Sequence, residues 1–455
     1  MLPRAVAGTA AVAAILLLAL HPFGMPPEAG RAAAVSLAAV GLWASGLVPG
    51  HITALLFFLL GMLLAVAPAS VVFSGFHSAA LWLVFGGLIL GAGIRETGLG
   101  ERLARSIAGR FDGAYWRVAA GMVAMGLALA FLMPSTMGRV VLLLPVVLSL
   151  ADVLGYEAGS RGRTGMVIAV AMGTFIPAFS ILPANVPNVV LAGALESLYG
   201  VPPVYGSYLL LHFPVVGVMK AVAIVLVVWL LFRDRPTKQA VMPSAGSMSW
   251  SERRLAVILA VAVGLWVTDF LHHISPAWIS LGAGLFCLLP RIGVLSVAAF
   301  DSKVNYPSML YVAGIVSLGA VVAESGLGDI LAEGLLSATA VAPGETVHNF
   351  IALTAANAVI GLATTLPGIP AVMTPLAENI ATATGLPLMT VVMIEVLGYS
   401  SVILPYQAPP LVVAVQLGGV TMADMTRAVL ALLLVTVFLL LPLDFLWWRA
   451  MGYLP

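Results

Sequence analysis

Residues Met133–Arg139 read Met-Pro-Ser-Thr-Met-Gly-Arg and interrupt an otherwise apolar run. Ser135, Thr136 and Gly138 suit a turn made inside a membrane, and the helix leaving that turn aims its N-terminal amides back at it, which favours an anion there. Arg139 lies about one turn into that helix. A charge at such depth is costly and by default functional; it can face an anionic substrate or an internal carboxylate. Ala363–Pro370 repeats the pattern with Thr364, Thr365 and Gly368. There Pro367 and Pro370 remove backbone donors, so this turn is the weaker anion cradle. Asn185-Val-Pro187-Asn188 and Gln407-Ala-Pro409-Pro410 break two long apolar stretches. Read as sites, the freed carbonyls with Asn185, Asn188 and Gln407 can coordinate a small cation; read as structure, they are kinks. Glu395 stands in an apolar run without basic neighbours, either as a proton-linked carboxylate or as half of a buried pair with Arg139 or Lys220. The seven histidines show no metal-ligand spacing, and Ser135 has no His/Asp constellation, so an enzyme, an organic cofactor and a metal other than Na⁺ are not expected.

The elements that hold these residues are membrane helices. The chain has 455 residues, 61% hydrophobic and 9% charged, with mean hydropathy +1.10. So few charges cannot cover a water-soluble surface of this size, and long continuous apolar runs indicate spanning helices rather than barrel strands. The net charge of +1 excludes nucleic acid as a partner class, and one cysteine, Cys287, excludes an intrachain disulfide. Spans are expected at Ala5–Leu20, Ala32–Val48, Ile52–Ala67, Ala79–Ile94, Tyr208–Phe232, Leu255–Leu271, Ala277–Leu289, Tyr306–Val322 and Ala428–Trp448. Between them lie hairpins over 118–154 and 350–383 and broken helices over 164–198 and 388–420. The fold class is thus all-α polytopic, about eleven spanning helices plus two re-entrant hairpins. Arg4 followed by an apolar core resembles a signal peptide, but no small-residue cleavage site precedes His21, so residues 1–28 are expected as a retained N-terminal helix. The polar stretch 233–254 separates a first half, 29–232, from a second, 255–455.

The halves match each other. Ala80–Gly100 aligns with Ser308–Gly328, both ending in Glu-(Thr/Ser)-Gly-Leu-Gly, and Ile181–Asn188 aligns with Ile403–Pro410. With the N-terminus cytoplasmic and both hairpins re-entrant, the basic loops 95–117, 161–163, 233–254 and 291–303 all fall inside, while 324–347, with four acidic residues and no basic one, falls outside with the C-terminus. The matching segments then face opposite sides. Inverted repeats with broken helices mark secondary transporters with a midplane site.

These motifs resemble the divalent anion/sodium symporter family of the ion-transporter superfamily, from about Val71 to Thr421. Phe73–Trp82 followed by Glu96–Gly100 resembles its fourth-helix region. Met133–Met137 is similar to its first Ser-Asn-Thr signature, and the step from Ser135 to Pro145 recurs from Thr365 to Pro375. The resemblance implies an eleven-helix homodimer with an elevator-type transport domain, carrying di- or tricarboxylates or sulfate, usually with Na⁺, across the bacterial inner membrane. It implies that Ser135, Thr136, Thr364, Thr365, Pro187 and Pro409 face a small anionic substrate, to which the reading of the residues themselves adds Arg139. Ser135, Asn185, Asn188, Thr365 and Gln407 then face Na⁺, the candidate coupling ion. The chain departs from the pattern at Met137, at Arg139 and at Leu366-Pro367. The expected function is secondary active transport of a small anion coupled to Na⁺ or by exchange; a proton-coupled carrier, with Glu395 and Arg139 in place of a sodium site, and an anion channel are the alternatives.

The inverted reading makes a direct topological prediction. In a Cys287→Ser background, a membrane-impermeant thiol reagent added outside whole cells should label a cysteine placed at Ala342 and spare one placed at Ser244. The reverse pattern would overturn the inverted arrangement.

Overall fold

The computed structural model describes residues 8–16, 26–108, 114–235 and 246–455, and these hold helices and no strand. The span expected at Ala5–Leu20 is described only over 8–16, which is helical; its retention lies outside the described residues, as does the linker from 236 to 245. The first half runs through Pro27–Ser45, Gly50–Leu63, Ala79–Thr97 and the short Leu99–Ala108. It continues with the pair Tyr115–Leu132 and Thr136–Val153, the interrupted pair Arg161–Phe175 and Val186–Tyr199, and the long Tyr205–Phe232. The second half runs through Trp250–Val267, Pro276–Leu288, Tyr306–Glu324 and Leu327–Thr339. It then repeats the order with Thr346–Ala363 and Gly368–Thr384, Leu388–Ser400 and Pro409–Gly418, and Met422–Ala450. Each half therefore presents a helix pair around a short turn, then a helix broken by proline, then one long helix.

Among the described residues eight helices are long and apolar enough to cross a membrane. The count is nine if Gly368–Thr384 and Leu388–Ser400, bent by 120°, are taken as one. The interruptions have visible causes. Pro134 precedes the first turn, Pro177 and Pro183 open single 3₁₀ turns that replace the helix ladder between Phe175 and Val186, and Pro409 and Pro410 start the last short helix. A missing N–H at each proline ends the ladder before it. The long final helix of each half relaxes into a π-helical stretch, Phe213–Met219 and Thr436–Leu440. The two stretches pack against each other, and each is followed by a buried charge, Lys220 and Asp444.

Two apolar cores result. One gathers Pro27–Leu63, the start of Ala79–Thr97 and most of Tyr306–Leu327; the other gathers both hairpins, both broken helices and the long helices. Close approach sets the geometry at a few glycines. A Cβ at Gly86 would sit 2.3 Å from the Ser280 backbone, where Ala79–Thr97 crosses Pro276–Leu288, and Ser280 Oγ donates to Leu83 O at 3.0 Å. A Cβ at Gly126 would sit 2.5 Å from Thr174 Oγ1 and 2.6 Å from Thr174 N, so the first hairpin arm lies directly on the first broken helix. Arg102 donates through Nε to Glu252 Oε1 at 2.6 Å, and Glu252 Oε2 in turn accepts from Ser249 N. That guanidinium and the Ser249 amide hold the Glu252 carboxyl well below the usual carboxylate range.

The Gly126 contact yields a paired prediction. Gly126→Ala should destabilise the purified protein by about 1–3 kcal/mol, because the methyl has no room and the helices must part. Gly264→Ala, where nothing lies within 4 Å, should be neutral or stabilising by up to about 1 kcal/mol. Thermal unfolding in detergent distinguishes the two; equal shifts would contradict the close approach.

Candidate functional site

A cavity of about 630 Å³ opens where the two cores meet. Both hairpin turns reach it, through Pro134–Met137 and Thr365–Pro367. Both breaks reach it too, through Asn185–Pro187 and through Gln407, Pro409 and Pro410. Four helices thus begin at its wall: Thr136–Val153, Val186–Tyr199, Gly368–Thr384 and Pro409–Gly418. Each N-terminus carries partial positive charge equivalent to about half an elementary charge. No Asp, Glu, Lys or Arg is among the described lining residues, so the helix ends face the space with no formal charge from them to offset the dipoles.

The first turn is tied down by side chains. Ser135 caps its helix, its Oγ accepting from Gly138 N at 3.1 Å. Thr136 Oγ1 donates to Ala184 O at 3.2 Å, which joins the turn to the break. Asn185 caps the second half of the broken helix, accepting from Asn188 N at 3.2 Å. It lines the cavity while its Nδ2 finds no partner among the described residues. At the second turn Thr365 adopts φ 98°, a left-handed conformation strained for a β-branched residue. Gln407 Oε1 accepts from the amides of Ile403 and Leu404 at 2.9 and 2.8 Å.

Of the residues singled out from the sequence, Ser135, Thr136, Asn185, Pro187, Thr365, Gln407 and Pro409 share this one cavity. Arg139, Thr364, Asn188 and Glu395 stand off it. Thr364 Oγ1 is spent on Ile360 O and Thr365 O, both at 3.0 Å. The Asn188 amide donates to Phe179 O at 3.0 Å and Ile181 O at 2.9 Å, and its oxygen accepts from Tyr399 OH at 2.9 Å. It locks the break to the second half. Glu395 is buried, one oxygen accepting from Thr374 Oγ1 at 3.0 Å and the other without a partner among the described residues.

Arg139 is fully buried. Its Nη1 donates to Met133 O and, at 3.0 Å, to Ala184 O; its Nη2 donates to Thr136 Oγ1 at 3.0 Å and Thr174 O at 3.1 Å. Neither Glu395 nor the cavity is among its contacts. Lys220, also buried, donates to Ser400 O and Ser400 Oγ, both at 3.0 Å, rather than to Glu395.

The opposite wall was not legible in the sequence. Trp43, His51, Asn305, Ser308 and Tyr311 line it. Trp43 Nε1 donates to Gly50 O at 3.0 Å and the Trp43 and Tyr311 rings meet edge to face at 5.8 Å. A Cβ at Gly50 would fall 2.8 Å from Tyr311, so glycine is needed for that ring to reach the wall.

Comparison with known proteins agrees with this architecture. The family described as "Sodium:sulfate symporter transmembrane region" matches residues 4–454. A "Membrane protein" of Cupriavidus necator is 26% identical over 371 residues, 76% of this chain and 72% of that protein. The "Sodium-dependent dicarboxylate transporter SdcS" of Staphylococcus aureus is 22% identical over 360 residues, 72% of this chain and 69% of that protein. Among solved structures, the YdaH transporter of Alcanivorax borkumensis shares the fold with TM-score 0.53 at 18% identity, covering 84% of this chain and 86% of that one. The chain is an integral membrane protein that belongs to the sodium:sulfate symporter family of anion transporters.

Proposed function

We propose that the cavity binds a small anion, a di- or tricarboxylate, and that the protein carries it across the bacterial inner membrane by secondary active transport, coupled to Na⁺ or by exchange. The carrying observation is the convergence of four helix N-termini on a cavity without acidic side chains. A carboxylate placed there meets four dipole ends at once, with the N–H donors on the first turn's side because Pro187, Pro409 and Pro410 carry none. The volume of about 630 Å³ suits a small organic ion with some water. The dicarboxylate activity in the name of the Staphylococcus aureus relative supports the same class.

In this reading Ser135, Thr136 and Thr365 meet the carboxylates, with Pro187 and Pro409 holding the two breaks open beside them. Asn185 and Gln407 order the break nearest each turn. The halves are inverted with respect to each other, both turns move with the substrate in an elevator-type step, and the chain works as a homodimer. Glu395 favours a second reading, proton coupling, because one of its buried oxygens has no partner among the described residues.

Counterflow tests the proposal. Proteoliposomes preloaded with succinate or citrate should take up the labelled anion faster than empty ones. Equal rates with and without internal anion would indicate a channel. No thermal stabilisation by succinate, citrate or sulfate would remove the cavity as the site.

The strained turn gives a sharper expectation. Thr365→Gly relieves a conformation costing about 1–3 kcal/mol and removes a hydroxyl from the cavity wall. The variant should melt higher than wild type and bind the anion more weakly. Loss of stability together with unchanged affinity would contradict both parts.

A further inference from the structure

We propose that the Arg139 guanidinium is a tethered cation standing where a coupling ion would otherwise sit, so that no Na⁺ binds between the first turn and the first break. This deepens the preceding reading by deciding what drives transport in the first half.

An interrupted membrane helix leaves carbonyl oxygens without donors, and in broken-helix carriers such oxygens are what coordinate Na⁺. Here the relevant oxygens come from three places. Met133 O belongs to the turn, Thr174 O to the C-terminal end of Arg161–Phe175, and Ala184 O to the irregular stretch before Val186. All three accept from the same guanidinium, and the Thr136 hydroxyl oxygen accepts a fourth bond from it. The oxygens that could form a sodium cage are therefore filled by a planar donor that cannot leave. A guanidinium has five N–H donors and no acceptor. Nη1 and Nη2 make four bonds to oxygens, Nε has no partner among the described residues, no described carboxylate is in contact, and the side chain is 0% exposed. A buried charge is costly unless it is hydrogen-bonded, and these oxygen lone pairs are the compensation the described residues supply.

The position also delivers charge to the anion. Arg139 touches Thr136, and Thr136 lines the cavity. The fixed cation thus lies one side chain behind the turn, as a bound ion would, and adds to the helix ends facing the substrate. The second half lacks an equivalent at its turn. Four residues past Ser135 stands Arg139, and four past Thr365 stands Ile369. Lys220 instead reaches in from the long helix to the carbonyl that ends Leu388–Ser400. That end corresponds to Thr174 in the first half.

The test reads Na⁺ directly and needs no anion, so it stands apart from the fate of the carboxylate reading. Melting of the purified full chain is followed in NaCl and in choline chloride at equal ionic strength. Wild type should melt at the same temperature in both as far as the first break is concerned. Arg139→Ala exposes the oxygens and should melt lower in choline, with a saturable upward shift in Na⁺ that wild type lacks. Arg139→Lys keeps a tethered cation and should show no such shift. An Arg139→Ala protein with the same Na⁺ response as wild type would overturn the proposal. If Arg139→Ala does not fold, wild type decides with Asn185→Ala. A saturable Na⁺ stabilisation of wild type that Asn185→Ala abolishes would place Na⁺ at the first break and overturn it; a response unchanged by Asn185→Ala supports it.

Discussion

Inside an apolar slab every backbone N–H and C=O must find a partner within the protein, and this chain interrupts its helices at two turns and two breaks. The rest of the structure is arranged around the groups thereby set loose. The carbonyl side is settled by side chains. Asn188 serves Phe179 and Ile181, Arg139 serves Met133, Thr174 and Ala184, and Lys220 serves Ser400. Some amides are settled as well, those of Ile403 and Leu404 by Gln407. The amide ends are settled only in part, Gly138 by Ser135 and Asn188 by Asn185, and four helix N-termini are gathered on one cavity. The preference for an anion then rests on the dipole ends directed at that cavity.

The two halves share an order of elements but not a chemistry. The first turn is rich in side-chain hydrogen bonds, with Ser135 and Thr136 both engaged and Arg139 behind them. The second is held by Thr364 Oγ1 on Ile360 O and Thr365 O, with Thr365 at φ 98° and Leu366-Pro367 following.

Much of this was legible in the sequence, and for a physical reason. Pro, Gly, Ser and Thr are conspicuous inside long apolar runs, so the turns at 133–138 and 364–368 and the breaks at 185–188 and 407–410 stand out. The helices expected on either side lie within a few residues of those observed. The roles of single residues were less legible. Arg139 offers its charge in the sequence, but its partners are backbone oxygens, one of them 45 positions away, and a carbonyl looks the same at every position. The only visible partner was another charge, Glu395, which the fold places elsewhere. Asn188 looked like a ligand because its bond to Tyr399 spans 211 positions. Trp43, His51 and Tyr311 carry no local pattern at all; packing between distant helices brings them to the wall.

The long helices that close each half carry opposite buried charges just past their π-helical stretches, Lys220 in the first and Asp444 in the second, and the two stretches pack against each other. Two copies of the first half joined in the same way would bring lysine to lysine, and two copies of the second would bring aspartate to aspartate. Either pairing buries like charges with nothing between them. The halves have consequently lost the interchangeability that their common element order suggests. They fit each other as unlike parts, so neither half can be exchanged for a second copy of the other without burying like charges.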